Sequence, residues 1–98
     1  MLPLSVLDTK ITDMEDKANP LEVAISKRIR VELSEREWSQ DKLSSEVGIT
    51  KAALNRYLKG HRSMPLPTLY EIAKAFKMSL RELMTKAEER ISPEDRWF

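Results

Sequence analysis

The stretch "WSQDKLSSEVGITKAALNRYLKG", residues 38–60, contains two short amphipathic segments separated by a glycine. In each segment the apolar residues recur at helical spacing. Gly48 is expected to end the first segment, because glycine adopts a left-handed backbone without a Cβ penalty. The stretch therefore predicts two short helices, over 40–46 and 51–59, that are joined by a tight turn.

The second of these helices lies in the one strongly basic part of the chain. Residues 47–63 carry four Lys and Arg side chains and no carboxylate, whereas the net charge of the 98 residues is only +1. On a helical wheel, the apolar side chains of 51–59 take one side, and the outward face spans about 140°. This pattern indicates one cationic face on a nearly neutral protein. The outward face consists of Lys51, Ala52, Asn55, Arg56 and Lys59.

Apolar periodicity predicts three further helices around this pair. The first covers about 21–36, the fourth 67–77, and the last begins after Ser79 and continues through Arg90. Ser39, Thr50 and Ser79 are side chains that commonly cap helix N-termini. The inward stripes of these three helices are Leu21, Ile25, Ile29 and Leu33, then Leu69, Ile72, Ala73 and Phe76, then Leu80, Leu83, Met84, Ala87 and Ile91.

The N-terminal segment has an apolar stripe of its own. Leu4, Leu7, Ile11, Met14 and Ala18 are spaced by three, four, three and four residues, as in an amphipathic helix. Several β-branched residues lower the helix propensity of this segment, so a strand or an extended arm remains an alternative to the helix. Two valines of the first long helix that lie outside its core stripe could accept this stripe, either from the same chain or from a second copy.

These patterns divide the chain into three parts. Residues 1–20 form an N-terminal extension, either an amphipathic helix or an arm. Residues 21–91 form one domain, with its two central short helices at about 40–59. Residues 92–98 form a short C-terminal tail.

Composition excludes several classes of protein and of site. Cysteine is absent and His61 is the single histidine, so we expect no disulfide, no metal site and no cofactor. No apolar run approaches the roughly 18 residues that span a bilayer. The first residues are also a poor signal peptide. We therefore expect no membrane contact and a cytoplasmic, nucleoid-associated protein. No nucleophile, base or glycine-rich phosphate loop is apparent, so we expect no enzyme.

The quoted stretch, followed by "LPTLYEIAKAFKMSLREL" (residues 66–83), resembles the lambda-repressor-like, Cro/cI-type (XRE) helix-turn-helix family. The similarity extends without gaps over roughly 25–84. It rests on the Ser-Gln opening, the glycine of the turn, its β-branched cap and the Lys-Gly ending. The resemblance implies an all-α fold, a compact five-helix domain with a helix-turn-helix. It also implies binding to double-stranded DNA.

The resemblance implies that the helix after the turn reads base edges in the major groove. The residue types agree with that role, because Arg pairs with guanine, Asn with adenine, and an alanine methyl can meet the thymine methyl. Family members often carry small polar residues where this chain has alanines, so the face that would contact bases has few polar side chains. The base-reading positions are Thr50, Lys51, Ala52, Asn55 and Arg56.

A second set of residues resembles positions that contact the phosphate backbone. One begins the first helix of the motif, and the others lie in and before the loop that follows the second helix. Contacts of this kind position a protein on DNA without specifying sequence. These residues are Gln40, Lys59, His61, Arg62 and Ser63.

The sequence therefore predicts a sequence-specific transcriptional regulator, of the phage or prophage repressor type, that binds its operator as a homodimer. The dimer contact is expected in residues 2–18 or in 84–98, which end in Trp97 and Phe98. The alternative is an antitoxin or protein-interaction module with autoregulatory DNA binding. A protein partner, an antirepressor or a toxin, is compatible with either hypothesis.

Overall fold

Five helices follow one another along residues 19–92, the part of the chain that the computed structural model describes. They are α1 (Pro20–Arg36), α2 (Gln40–Val47), α3 (Lys51–Leu58), α4 (Leu66–Ala75) and α5 (Leu80–Glu88). No strand occurs in this range. The predicted all-α fold with five helices is therefore confirmed, while the extension and the tail lie almost entirely outside the described residues.

The predicted caps begin the helices as expected. Ser39 Oγ accepts the amide of Lys42, and Ser79 Oγ accepts the amide of Glu82, both at 3.0 Å. α1 is capped by Asn19, whose side-chain oxygen accepts the amide of Leu21 at 2.8 Å. Each such oxygen satisfies a backbone N–H that has no partner within its helix.

Several helix ends differ from the predicted ones by one or two residues. α4 ends at Ala75 rather than 77, because Phe76 caps it and Lys77 turns into the left-handed region with φ of 62°. α5 ends at Glu88 rather than Arg90, since the amides of Arg90 and Ile91 bond to carbonyls only three residues back. Such tightening of the last turn is common, and periodicity does not predict it.

One apolar core joins the five helices. α1 packs mainly against α5, and α2 packs against both α3 and α4. Of the predicted stripes, only Leu21, Leu80 and Met84 are half-buried rather than buried. At the centre, Ile29, Leu43, Leu54, Ile72 and Leu83 have no exposed surface. Because α2 and α3 bury their inner faces, the outer face of α3 is held rigidly toward solvent.

The C-terminal end of α1 carries a buried ion-pair network that the apolar pattern did not predict. The Glu32 side chain is only 3% exposed and pairs with both Arg28 and Arg36. Arg36 also donates from Nη2 to the carbonyl of Phe76 at 2.8 Å, and its guanidinium lies 4.6 Å from the centre of that ring. The network therefore ties α1 to the end of α4.

Candidate nucleic-acid interface

Two residues fix the turn between α2 and α3. Gly48 has φ of 86°, and its amide donates to the carbonyl of Ser44 at 2.8 Å. Thr50 then caps α3, since its Oγ1 accepts the amide of Ala53 at 3.0 Å. The two short helices and this turn have the arrangement of a helix-turn-helix. The sequence prediction of the turn glycine and of the cap is confirmed.

The outer face of α3 is accessible to a ligand. Lys51, Ala52 and Arg56 are exposed, and Asn55 is half-buried beside them. Leu54 and Leu58, on the opposite face, are buried. α3 thus presents two cations, one amide and one methyl group to solvent on a single face. These groups can pair with guanine, adenine and thymine edges and with phosphate.

A carboxylate from α2 lies next to this face. Asp41 Oδ1 is 3.4 Å from Lys51 Nζ, and both side chains are 66% exposed. Residues 47–63 contain no acidic side chain, and Asp41 lies outside them, ten residues before Lys51. The ion pair links the starts of α2 and α3 and places one negative charge beside the cationic face.

The predicted phosphate contacts surround α3 at both ends. Gln40 begins α2 and is half-buried, next in sequence to the carboxylate that reaches Lys51. The others follow the end of α3, where all four side chains are exposed. The structure thus places these residues around α3, and their roles in DNA contact remain predictions. The four are Lys59, His61, Arg62 and Ser63.

One of these loop residues already has a protein partner. Ser63 Oγ donates to Glu22 Oε2 of α1 at 3.0 Å. This contact places a carboxylate beside a predicted phosphate contact, so DNA would have to share or displace it. Sequence reasoning could not find it, because the two residues are 41 positions apart.

Comparison with known proteins agrees with this geometry. A family model described as the Cro/C1-type HTH DNA-binding domain matches residues 28–87. The chain belongs to the Cro/C1-type HTH DNA-binding family. Neither a curated protein nor a solved structure matches the chain significantly. The predicted family is therefore confirmed, and with it a regulator of the DNA-binding type.

In this Cro/C1-type domain, two hydrogen bonds join the C-terminal end of α3, the second helix of the motif, to α1. Arg30 Nη2 donates to the carbonyl of Leu58 at 3.0 Å, and Ser26 Oγ donates to the carbonyl of Tyr57 at 3.5 Å. These carbonyls belong to the last turn of α3, where no intrahelical amide is available. α1 therefore stabilises the end of α3, where the loop with the predicted phosphate contacts begins. The sequence offered no local signal for either bond.

Residues 19–92 contain no group of three or more His, Cys, Asp or Glu side chains that could hold a metal ion. None of the helices in that range has the length and hydropathy required to cross a membrane.

Proposed function

We propose that this Cro/C1-type protein is a sequence-specific transcriptional repressor of the compact phage or prophage type. In this proposal, α3 enters the major groove, and Asn55 and Arg56 contact base edges. Lys51 and Thr50 approach the bases from the start of the helix, and Ala52 packs against a thymine methyl. The protein then resides on the nucleoid, where its operator is.

The observation that carries the proposal is the exposed face of α3 within the matched range 28–87. One side of α3 is buried in the core, and the other presents cations and an amide to solvent. This arrangement suits contact with base edges. The surrounding loop supplies Lys59 and Arg62 for phosphate contacts, which account for most non-specific affinity.

We further propose that the protein binds DNA as a homodimer. One recognition helix covers only a few base pairs, whereas two copies about 34 Å apart read a palindromic site on one side of the duplex. Of the residues expected to join the copies, 2–18 lie outside the described range, and so do 93–98 of the segment 84–98.

The most direct experiment is selection of bound sequences from a random pool of duplex DNA at physiological salt. Enrichment of an inverted repeat, with half-sites one helical turn apart, is expected for a dimeric repressor. Enrichment of a single half-site would contradict the dimer. A pool without any enrichment would contradict sequence-specific binding and favour the antitoxin alternative, which co-purification with a toxin would then test.

Two arginine variants distinguish base contact from phosphate contact. Arg56→Ala is expected to cost about 1–3 kcal/mol on the selected operator and to relax specificity at one base pair. Arg62→Ala is expected to weaken all duplexes equally and to reduce the slope of log affinity against log salt by about 1. Affinities for the operator and its single-base variants, at several salt concentrations, measure both effects.

Each variant serves as the control for the other. Both side chains are exposed, so loss of either should change the free energy of unfolding by less than about 0.5 kcal/mol. If Arg56→Ala weakened every duplex alike, the assignment of Arg56 to base reading would be wrong.

A further inference from the structure

A groove of about 310 Å³ lies beside the end of the recognition helix. α1 forms one wall and the last turn of α3, with its following loop, forms another; α4 and α5 contribute Leu69 and Met84. We call it the α1–α3 groove. Its size falls at the lower end of the range for ligand sites, about 300–1,000 Å³.

The walls of the α1–α3 groove are largely apolar and incompletely covered. Leu21, Val23, Tyr57, Met64 and Met84 line it and are each only half-buried. Val23 is one of the two valines outside the core stripe of α1, so the groove explains its position. Covering an apolar lining of this kind with another apolar surface is favourable, because it removes apolar area from water.

The polar edge of the groove is predominantly cationic. Lys27, Arg30, Lys59 and Arg62 line it, against the single carboxylate of Glu22. All four cations are exposed. An occupant with an apolar stripe and an acidic polar face would therefore complement both the walls and the edge.

We propose that residues 4–18 of the same chain occupy the α1–α3 groove and shield Lys59 and Arg62 from DNA. Their apolar residues recur at the spacing of one helix face, and residues 1–18 carry four acidic against two basic side chains. The apolar stripe matches the groove walls, and the excess of acid matches its edge. The competition with DNA rests on the proposed function, whereas the docking does not.

The connection between segment and groove is short. Asn19, which caps α1, has extended backbone angles, and Leu21 already lines the groove. Fifteen residues in a helix extend about 22 Å, and the groove-lining part of α1, from 21 to 30, extends about 14 Å. Only Asn19 separates the segment from α1, which makes docking intramolecular, with an effective concentration on the order of millimolar.

The chain offers a specific test because it contains no cysteine. A nitroxide attached to Thr9→Cys, opposite the apolar stripe on a helical wheel, is expected to broaden the methyl signals of Met64 and Met84. Adding Leu7→Asp, on the stripe, is expected to restore those signals. Adding the matched Val6→Asp, off the stripe, is expected to leave them broadened.

Mixing experiments separate this chain's own segment from that of a second copy. Labelled protein without isotopes is mixed with isotope-enriched protein that carries no nitroxide. Broadening confined to molecules that carry their own label supports the proposal. Broadening in the mixture, where the nitroxide and the isotopes are on different molecules, would assign the groove to a second copy and overturn the proposal. The absence of broadening in both samples would also overturn it.

The effect on DNA is measured separately, with unlabelled full-length protein. If the segment is docked in about nine of ten molecules, releasing it with Leu7→Asp raises the affinity for duplex DNA about tenfold. Val6→Asp should not raise it. Suppose that the nitroxide broadens the Met64 and Met84 signals, so that the segment is docked. Equal DNA affinities of Leu7→Asp and wild type would then overturn the shielding of Lys59 and Arg62.

Discussion

Glu32 is the only buried carboxylate among residues 19–92. Burial by itself raises the pKa of Glu32, but hydrogen bonds from Arg36 and Arg28, together with their positive charges, lower the pKa below its ordinary value of 4.5. The folded state therefore favours the ionised form. By linkage, the stabilisation is fully present above about pH 4.5 and is lost as the pH falls through the lower pKa of the folded state.

Replacing this carboxylate tests that linkage. Glu32→Gln keeps the shape of the side chain but removes its charge, so we expect the free energy of unfolding at pH 7 to fall by about 1–3 kcal/mol. The difference from wild type should shrink as the pH falls below about 4.5 and through the lower pKa that Glu32 has in the folded state. Urea denaturation at a series of pH values measures both quantities.

The matched control is Glu35→Gln on the exposed side of the same helix. It should change the free energy of unfolding by less than about 0.5 kcal/mol at any pH. A deficit of Glu32→Gln that stayed constant down to pH 3 would show that the charge of Glu32 does not stabilise the fold.

Asp41 is expected to oppose DNA binding. It pairs with Lys51 across two exposed side chains, where an ion pair contributes at most about 1 kcal/mol. Asp41→Asn removes a negative charge from beside the cationic face, so DNA affinity should rise by up to about fivefold at low salt. Glu46→Gln, also on α2 and also exposed, should raise it less. Titration of a fluorescent duplex measures the gain in affinity of Asp41→Asn over wild type at low and at high salt. The gain should disappear at high salt, because salt screens the charge.

At the scale of the helices, Thr50 joins two roles in one side chain. It is a predicted base contact, and its hydroxyl oxygen also caps α3. Thr50→Ala should therefore lower the free energy of unfolding by about 1 kcal/mol, whereas Thr50→Ser keeps the hydroxyl and should change it little. Thermal unfolding monitored by circular dichroism compares the two. Equal stability of the alanine and serine variants would exclude the capping role.

The helices were predictable from the sequence because their signals are local. Apolar spacing and caps such as Ser39 and Ser79 depend on residues within one or two turns of each other. The family and its all-α fold followed from those signals in combination. The ends of α4 and α5 were less predictable, because the tightening of a last turn depends on packing around it.

The contacts around the candidate interface could not be predicted in the same way. The pairs Asp41–Lys51 and Ser63–Glu22 join different elements, so they exist only once the helices have packed. Glu32 has arginines four residues away on both sides, which is a visible pattern. Its burial is not visible, because it depends on the end of α4.

At the scale of the whole molecule, the described fold depends on the packing of α1 against α5. Leu83 of α5 has no exposed surface. Leu83→Ala should lower the free energy of unfolding by about 2–5 kcal/mol. The same truncation at Leu66, which is 61% exposed, should change it by less than about 0.5 kcal/mol. Chemical denaturation gives both values, and similar losses at the two sites would mean that α5 does not complete the core.

The contact between α1 and α5 also has a consequence for how the protein is made. A ribosome synthesises α1 first, yet the core side of α1 finds its main partner only when α5 has emerged. Between Ile29 and Leu83 this delay is roughly 3–10 s at ordinary translation rates. Once Leu58 has been added, and until α5 emerges, the nascent chain carries the complete α3 on an unfinished scaffold. A prematurely released fragment that ends between Ser63 and Leu83 would thus contain every predicted DNA contact and still lack the fold that presents them.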